Sequence, residues 1–365
     1  MTKIFNVSAN CKPSEHYMVD ITEKLHKIKE MVDKGQYFTI NRARQYGKTT
    51  TLRALEEFLK DDYIVVSLDF QMLSASKFKN ENIFSIAFAK MFLEAIQGLE
   101  VELQKSVSVL KDAIKIEKEE IELFELFQYL SKICASCLKP IVLMIDEVDS
   151  ATNNQVFLDF LAQLRGYYIK RDRVSTFQSV ILAGVYDVKN IRHKIGNEEE
   201  HKVNSPWNIA ADFLVDMSFS QKDIGKMLKE YETDYHIGMD IEMISELLYS
   251  YTSGYPFLVS RICKLMDERI AGNIEYPDKK SAWTKDGFLE AVKILLREKN
   301  TLFESLINKL TEYSKLREIV YMLLFEGKEI SYNPLNQAIE IAELFGFIKN
   351  VNGSAIISNR IFETV

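Results

Sequence analysis

Between positions 37 and about 220 the chain alternates short apolar runs with amphipathic stretches. The runs YFTIN (37–41), YIVVSLDF (63–70), PIVLMID (140–146) and SVILAGV (179–185) are rich in β-branched and aromatic residues, and a weaker one, FLVDMSF, lies at 213–219. Each is short and continuous, the pattern of a strand buried on both faces. Helical patterns separate them, over 49–60, 82–97, 121–138 and 153–169. This alternation predicts an α/β fold built on a parallel sheet. The charged stretch 98–122 belongs to a helical insertion (98–138) between the second and third strands, and its EKEEIE run at 117–122 reads as a solvated helix face.

From 221 to 300 the pattern is helical, through KDIGKMLKEYE, MDIEMISELLYSYTSG, PFLVSRICKLMDERIAG and DGFLEAVKILLREKN, which marks a separate helical domain. From 301 onward the chain reads as helix (303–313), helix (315–325), a β-like GKEISY, helix (334–344), and two β-like pieces, FGFIKN and SAIISN, around Val351-Asn352-Gly353. Asn-Gly between two β-prone runs signals a hairpin. Helices followed by such a hairpin suggest a winged-helix module. Three consecutive domains are therefore expected, over 1–220, 221–300 and 301–365.

Composition narrows the class. Of 365 residues, 47% are hydrophobic and 27% charged, close to globular averages, which excludes wholesale disorder. Only 14 glycines and 6 prolines occur, consistent with a helix-rich chain that keeps glycine for places where the backbone needs it. The net charge of −7 disfavours a protein whose main task is to neutralise a nucleic-acid backbone. No apolar run reaches the ~18 residues that span a bilayer. The best candidate, 84–99, is interrupted by Lys90 and Glu94, and the opening segment, MTKIFNVSANCKPSEHYMVD, lacks the apolar region of a signal peptide. Four scattered cysteines (11, 134, 137 and 263) do not make a disulfide scaffold, so a reducing cytoplasm is the expected setting.

The sharpest chemical signal is INRARQYGKTTTL at 40–52, where Gly47-Lys48-Thr49 follows a strand and opens a helix. A phosphate-binding loop needs this context. Backbone N–H groups at a helix start lack intrahelical partners, and the helix dipole favours negative charge there. Gly47 admits close approach of the backbone to phosphates, Lys48 reaches the β- and γ-phosphates, and the Thr49 hydroxyl ligates magnesium. The expected binding segment is Arg44, Gln45, Tyr46, Gly47, Lys48, Thr49 and Thr50. One departure stands out: the G-x-x-x-x-G-K-T pattern asks for glycine where this chain has Arg42.

A second motif, IVLMIDE at 141–147, is a buried strand that exits into Asp146-Glu147. Two carboxylates cannot face an apolar core without partners, so they point to a cation or a substrate. Asp146 is expected to hold magnesium through its water shell, and Glu147 to orient and deprotonate an attacking water. An acid pair of this kind marks the P-loop branch in which an additional strand separates the loop strand from the acidic strand. That strand is SVILAGVYD, which brings Gly184, Tyr186 and Asp187 towards the γ-phosphate side.

The motifs together resemble the AAA-like P-loop ATPases of bacteria and archaea related to the STAND-type signal-transduction ATPases. The resemblance spans nearly the whole chain, through HYMVDI (16–21), YFTINRARQYGKTTTL (37–52), IVLMIDEVDS (141–150), FQSVILAGVYDVKNIR (177–192), SPWNIAADF (205–213) and SGYPFLV (253–259). It implies that Arg42 is a usual departure in this group. It also implies that the helical domain is a lid, that Gly254-Tyr255-Pro256 places Pro256 against the nucleotide, and that Arg261 reaches the phosphates. Read from the residues alone, the same tripeptide is a proline in the first turn of a helix with glycine before it. Related ATPases carry a polar sensor at the end of the additional strand, where this chain offers only Asp187. The resemblance places His16 near the adenine and makes Tyr17 a candidate to stack on the base, against the plainer reading of a packed aromatic. The C-terminal segment, ending in ISNRIF (357–362), resembles the winged helix of such proteins. Relatives often continue into a nuclease-like domain, and no nuclease carboxylate–lysine motif occurs before Val365.

Weaker signals have plain readings. Cys134-Ala-Ser-Cys137 has no companion ligand pair and reads as helix packing rather than zinc or redox chemistry. The basic groups Arg165, Lys170, Arg171, Arg173 and Arg192, His193, Lys194 are candidates for a trans-acting arginine finger or a partner surface, or are solvated charge. Residues 301–365 hold six Lys+Arg against eight Asp+Glu, which favours protein contact over DNA reading. The expected function is a slow ATPase acting as a nucleotide-dependent switch, using ATP and Mg2+, with a protein partner or self-association. Two competitors are a DNA-stimulated ATPase of a defence or mobile-element system and a scaffold whose ATP site is structural.

Overall fold

The computed structural model describes residues 3–8, 11–97, 104–115, 121–185 and 206–365. Tyr186, Asp187, Arg192, His193 and Lys194 lie outside the described residues, as does most of the EKEEIE run. Contacts gather the chain into two compact units, Lys24–Asn41 with Thr51–Val215, and Met1–Glu23 with Arg42–Thr50 and Asp216–Val365.

The elements of the first part of the chain are α1 (Thr22–Asp33), β1 (Phe38–Asn41), α2 (Lys48–Leu59), β2 (Ile64–Asp69), α3 (Glu81–Ala95), α4 (Gln104–Ala113), α5 (Leu123–Ser136), β3 (Ile141–Asp146), α6 (Gln155–Ile169) and β4 (Ser179–Gly184). The four strands form one parallel sheet in the order β1-β4-β3-β2. Every residue of β3 and β4 is buried, as expected of strands covered on both faces. Between Val142 and Ile145 in β3 and between Val180 and Ala183 in β4 the sheet is apolar, which confines charged chemistry to the ends of these strands. Parallel register aligns those ends: Asn41 pairs with Gly184, Ile145 with Leu182, and Asp69 with Asp146.

Phenylalanines from α3, α5 and α6 fill the core on this sheet. Phe160 is fully buried, its ring centroid 5.5, 5.0 and 5.5 Å from those of Phe84, Phe88 and Phe127. These rings are large apolar surfaces that also gain from tilted and edge contacts. Local signals set the helix starts: Asn80 accepts the Ile83 amide at 2.9 Å before α3, and Glu122 and Glu125 form a reciprocal capping box at α5.

The weak run at 213–219 is not a strand. Its neighbourhood contributes one parallel bridge, Phe38 to Ala211, and a stack of Phe213 on Phe38 at 5.8 Å. Asp216 gives the reason: its carboxylate accepts the Ser218 amide (2.9 Å) and hydroxyl (2.8 Å), so a side chain turns the backbone where a ladder would have to continue. Upstream, Trp207 is fully buried and donates its indole N–H to the Thr39 hydroxyl at 2.9 Å.

The second unit continues with α7 (Gln221–Tyr235), α8 (Ile241–Thr252), α9 (Pro256–Leu265), α10 (Lys279–Ala282), α11 (Lys285–Arg297), α12 (Thr301–Glu312), α13 (Ser314–Phe325), β5 (Ile330–Ser331), α14 (Gln337–Leu344), β6 (Ile348–Val351), β7 (Ser354–Ile357) and α15 (Arg360–Thr364). Its small sheet is antiparallel, in the order β5-β7-β6. The hairpin of β6 and β7 turns at Asn352 (φ 51°) and Gly353 (φ 84°), the two positive φ values that a type I′ turn requires. The chain's N-terminal segment joins this unit through Phe5 and Tyr17, which pack on Tyr231.

Truncating Phe160 to alanine removes the ring at the centre of the phenylalanine cluster. The expected cost is about 3–5 kcal/mol to the sheet-bearing unit, read as a lower urea midpoint at an unchanged slope.

Candidate functional site

The segment Arg42–Thr50 leaves β1 and enters α2 at Lys48. Two residues in it adopt left-handed backbone, Gln45 (φ 58°) and Gly47 (φ 81°). Glycine adopts this conformation freely, whereas glutamine there costs about 1–2 kcal/mol. A Cβ added at Gly47 would meet nothing within 4 Å, so the loop surface at this glycine is open. The Lys48 side chain is folded over the loop, and its Nζ donates to the carbonyls of Arg42 (2.9 Å) and Ala43 (3.2 Å). Arg44 and Thr49 are exposed, while Gln45, Tyr46, Gly47 and Thr50 are half-buried.

Residues distant in sequence clasp this loop within the same unit. Tyr255 donates its hydroxyl to the Arg44 carbonyl, and its ring meets Tyr46 edge-on at 4.6 Å. Gln45 donates its side-chain amide to Thr301 Oγ1 at 3.0 Å, at the start of α12. Gly346, just after α14, lies so close that a Cβ there would sit 3.0 Å from Ala43 Cβ. Burial pushes the Tyr46 phenol up to about 12, with Asp216 adding to the shift and Arg42 opposing it. Burial also lowers the Arg42 guanidinium, an effect opposed by Tyr46, Asp216 and Glu343.

The acid pair lies at the C-terminal end of β3. Asp146 is its last residue and is buried, and one of its carboxylate oxygens accepts the Glu147 amide at 2.9 Å. Glu147 is left-handed (φ 53°, ψ 39°) and caps a 3-10 turn over Val148–Ser150. The Ser150 hydroxyl donates to the Glu147 carbonyl (3.0 Å) and to the Phe70 carbonyl beyond β2 (3.3 Å). On the other side, Asp149 Oδ2 accepts the Val185 amide at 2.6 Å, at the end of β4. A strained acidic residue is thus held by ties to both neighbouring strand ends. In open α/β sheets ligands bind at this end of the strands.

A glycine-lysine-threonine loop entering a helix, a sheet with β4 between the loop strand and the acidic strand, and an acid pair at the strand end are now all in place. Residues 8–362 match the AAA-like domain family. The chain belongs to that family. Among solved structures, the AAA-like chain is similar to the Walker-type ATPase of Pyrococcus abyssi, with 16% identity, 99% of this chain and 98% of that one covered, and a TM-score of 0.62. Lower likenesses include the Aeropyrum pernix Orc1 protein in complex with DNA (13% identity, 95% and 91% covered, TM-score 0.39). Another is the Thermotoga maritima RuvB Holliday junction branch migration motor (11%, 92% and 90%, 0.42). At so low an identity the first likeness shows a shared fold, and the other two carry nothing further. No curated protein matches the chain in sequence.

The remaining expected residues of the AAA-like chain fall in different surroundings. Pro256 is buried at the first position of α9, after Tyr255. Gly254 (φ 72°) is packed so tightly that a Cβ would lie 1.9 Å from the Phe219 carbonyl oxygen. Arg261 is paired with Glu298 through two guanidinium nitrogens at 2.7 and 3.0 Å, and Arg269 shares the same carboxylate. Tyr17 is buried in the aromatic cluster, its hydroxyl donating to Asp234 at 2.7 Å, which is the packed-aromatic reading of that residue. Arg171 donates to the Gly35 carbonyl at 2.8 Å and lies over the Tyr168 ring. Cys137 caps α5 with its thiol 3.1 Å from the Ile133 carbonyl, and burial pushes the Cys134 thiol up. Tyr255, Thr301, Gly346 and Asp149 were not foreseen as site residues. Asp149, three residues after Asp146, and Tyr255, inside the Gly254-Tyr255-Pro256 motif, carried a local signal.

Replacing Tyr255 by phenylalanine keeps the ring and removes the donor to Arg44, and is expected to lower stability by about 0.5–1.5 kcal/mol. Gly254→Ala forces a Cβ into backbone and should lower the melting temperature by far more than Tyr255→Phe in a thermal-unfolding comparison.

Proposed function

We propose that this AAA-like protein binds ATP with Mg2+ on the segment Arg44–Thr50 and hydrolyses it slowly, as a nucleotide-dependent switch. The observation that carries the reading is the left-handed turn at Gln45–Gly47, open at Gly47, leading into the N-terminus of α2. Amides of the first helical turn have no intrahelical partners and attract phosphate oxygens. Lys48 would exchange the carbonyls of Arg42 and Ala43 for the β- and γ-phosphates. Thr49 and Asp146 are the residues proposed to hold Mg2+. Their hydroxyl and carboxylate are hard oxygen donors, and a small protein donor set suits an ion that completes its shell with phosphates and water. Among the described residues no group of three or more His, Cys, Asp or Glu forms a denser metal cluster. When bound, the ion neutralises phosphate charge.

Glu147 is the proposed base. It takes a proton from water as the water oxygen bonds to the γ-phosphorus, and the bond from that phosphorus to the bridging oxygen breaks, with ADP keeping the electron pair. Lys48 stabilises the negative charge on the transferred group. The strand order supports the additional-strand branch of P-loop enzymes. We assign 1–220 as the ATPase core, 221–300 as the lid and 301–365 as a winged helix, which fits α12, α13 and α14 beside the β5-β7-β6 sheet, with the short α15 after it. Tyr255, Thr301 and Gly346 all touch loop residues, so a change of loop shape on filling would reach α9, α12 and the end of α14 directly. Arg261 would have to leave Glu298 to meet a phosphate. The acidic balance of 301–365 supports a protein partner or self-association over DNA. No described helix is long and apolar enough to cross a membrane, and four free cysteines fit a reducing cytoplasm.

Glu147→Gln is expected to bind ATP as the parent does while phosphate release falls about 10²–10⁴-fold. Undiminished release by that variant overturns the hydrolysis reading. Lys48→Ala should lose ATP binding by isothermal titration. Added duplex DNA should leave the rate unchanged, and stimulation would favour the DNA-associated alternative.

A further inference from the structure

The sheet-bearing unit contains a carboxylate to which neither the sequence nor the family comparison gave a role. Asp149 lies in the 3-10 turn that follows Glu147 and reaches across to the end of β4. Its Oδ2 accepts the Val185 amide at 2.6 Å, a short charge-assisted bond. Its other oxygen occupies the space where Gly184 would carry a side chain, since a Cβ there would lie 2.7 Å from Asp149 Oδ1 and 3.0 Å from Val148 Cγ2. Gly184 has no positive φ to justify glycine, so the close approach of this carboxylate is what excludes a side chain from the strand end. On its other flank the turn is held by fully buried Val148 beneath it and by the Ser150 hydroxyl on the Phe70 and Glu147 carbonyls.

We infer that Asp149 is a positioning residue for hydrolysis, and the inference rests on the proposed role of Glu147. Glu147 is in a left-handed conformation that an unrestrained glutamate leaves readily. The conformation persists because the turn after it is pinned on both flanks, to β2 by Ser150 and to β4 by Asp149. Losing the β4 tie lets the turn rotate about the Ser150 anchor, and Glu147 re-aims its carboxylate. Displacement of a catalytic group by about 1 Å is enough for a loss on the order of 10²-fold. The described end of β4 offers Gly184 and Val185, neither with a polar side chain. At this contact the polar side chain comes from the acidic turn, and Val185, just after β4, supplies a backbone amide. Shifts of the β4 end would reach Glu147 through this bond.

The test uses the full chain and reads single-turnover phosphate release and ATP affinity separately. Asp149→Ala should lower the hydrolysis rate about 10–100-fold with ATP affinity unchanged. Asp149→Asn keeps an acceptor for the Val185 amide and should restore the rate to within about threefold of the parent. Gly184→Ala displaces the same carboxylate from the other side and should reproduce the alanine defect, which covers the case in which Asp149→Ala folds poorly. A merely structural Asp149 would lower the melting temperature and leave the rate per folded molecule intact. Parental rates in both Asp149→Ala and Gly184→Ala overturn the inference, and with hydrolysis still lost in Glu147→Gln they leave the proposed function standing. Parental turnover in Glu147→Gln overturns both.

Discussion

A parallel sheet covered on both faces can place charged groups only where its strands end. In this chain β3 and β4 are buried along their whole length, so Asp146 is the first position at which a carboxylate can meet anything but hydrocarbon. The other features of the sheet-bearing unit follow from that. The left-handed Glu147, the turn after it, and the bonds of Ser150 and Asp149 to adjacent strand ends are all arrangements for holding acidic groups at the rim of an apolar layer. The phenylalanine core behind α3, α5 and α6 makes the rim rigid enough for such ties to hold geometry, because close-packed interiors yield little.

The loop at Arg42–Thr50 obeys a different constraint. Its backbone curls through left-handed residues at Gln45 and Gly47, and a curled loop turns carbonyls outward that need donors. The Arg44 carbonyl finds Tyr255, and those of Arg42 and Ala43 find Lys48. The loop consequently belongs by contact to the unit that contains the helical and C-terminal segments, although in sequence it is flanked by strand β1 and the body of α2. Gly346 and Gly254 are required in that unit for close approach of backbone rather than for turns alone, and Ala43 and Phe219 are what they approach.

Much of this was legible in the residue pattern. Strong strands, their parallel class, the approximate helix boundaries and the hairpin at Asn352-Gly353 followed from periodicity and turn chemistry, because each depends on near neighbours in the chain. The run at 213–219 misled because its apolar content suits a strand while Asp216 turns the backbone locally. The family resemblance makes Tyr17 a candidate to stack on the base, against the reading of a packed aromatic, and brings Arg261 to the phosphates. The Tyr17 ring packs with Phe5 and Tyr231, and the Arg261 guanidinium is paired with Glu298. Tyr231 lies in a different domain-sized stretch of sequence from Tyr17, and Glu298 lies several helical turns and two loops beyond Arg261. Neither pairing leaves a periodic or turn signal that a reader of the sequence could follow.

The sequence by itself determined the α/β class, the glycine-lysine-threonine loop and the acid pair, because strand burial and helix-start chemistry are local properties of short segments. Tertiary structure alone decided what clasps the loop, which carboxylate ties the acidic turn to β4 and where Arg261 points. Those outcomes depend on side chains brought together by packing, and a hydrogen bond such as that of Tyr255 to Arg44 or Asp149 to Val185 has no trace along the chain until folding closes the distance.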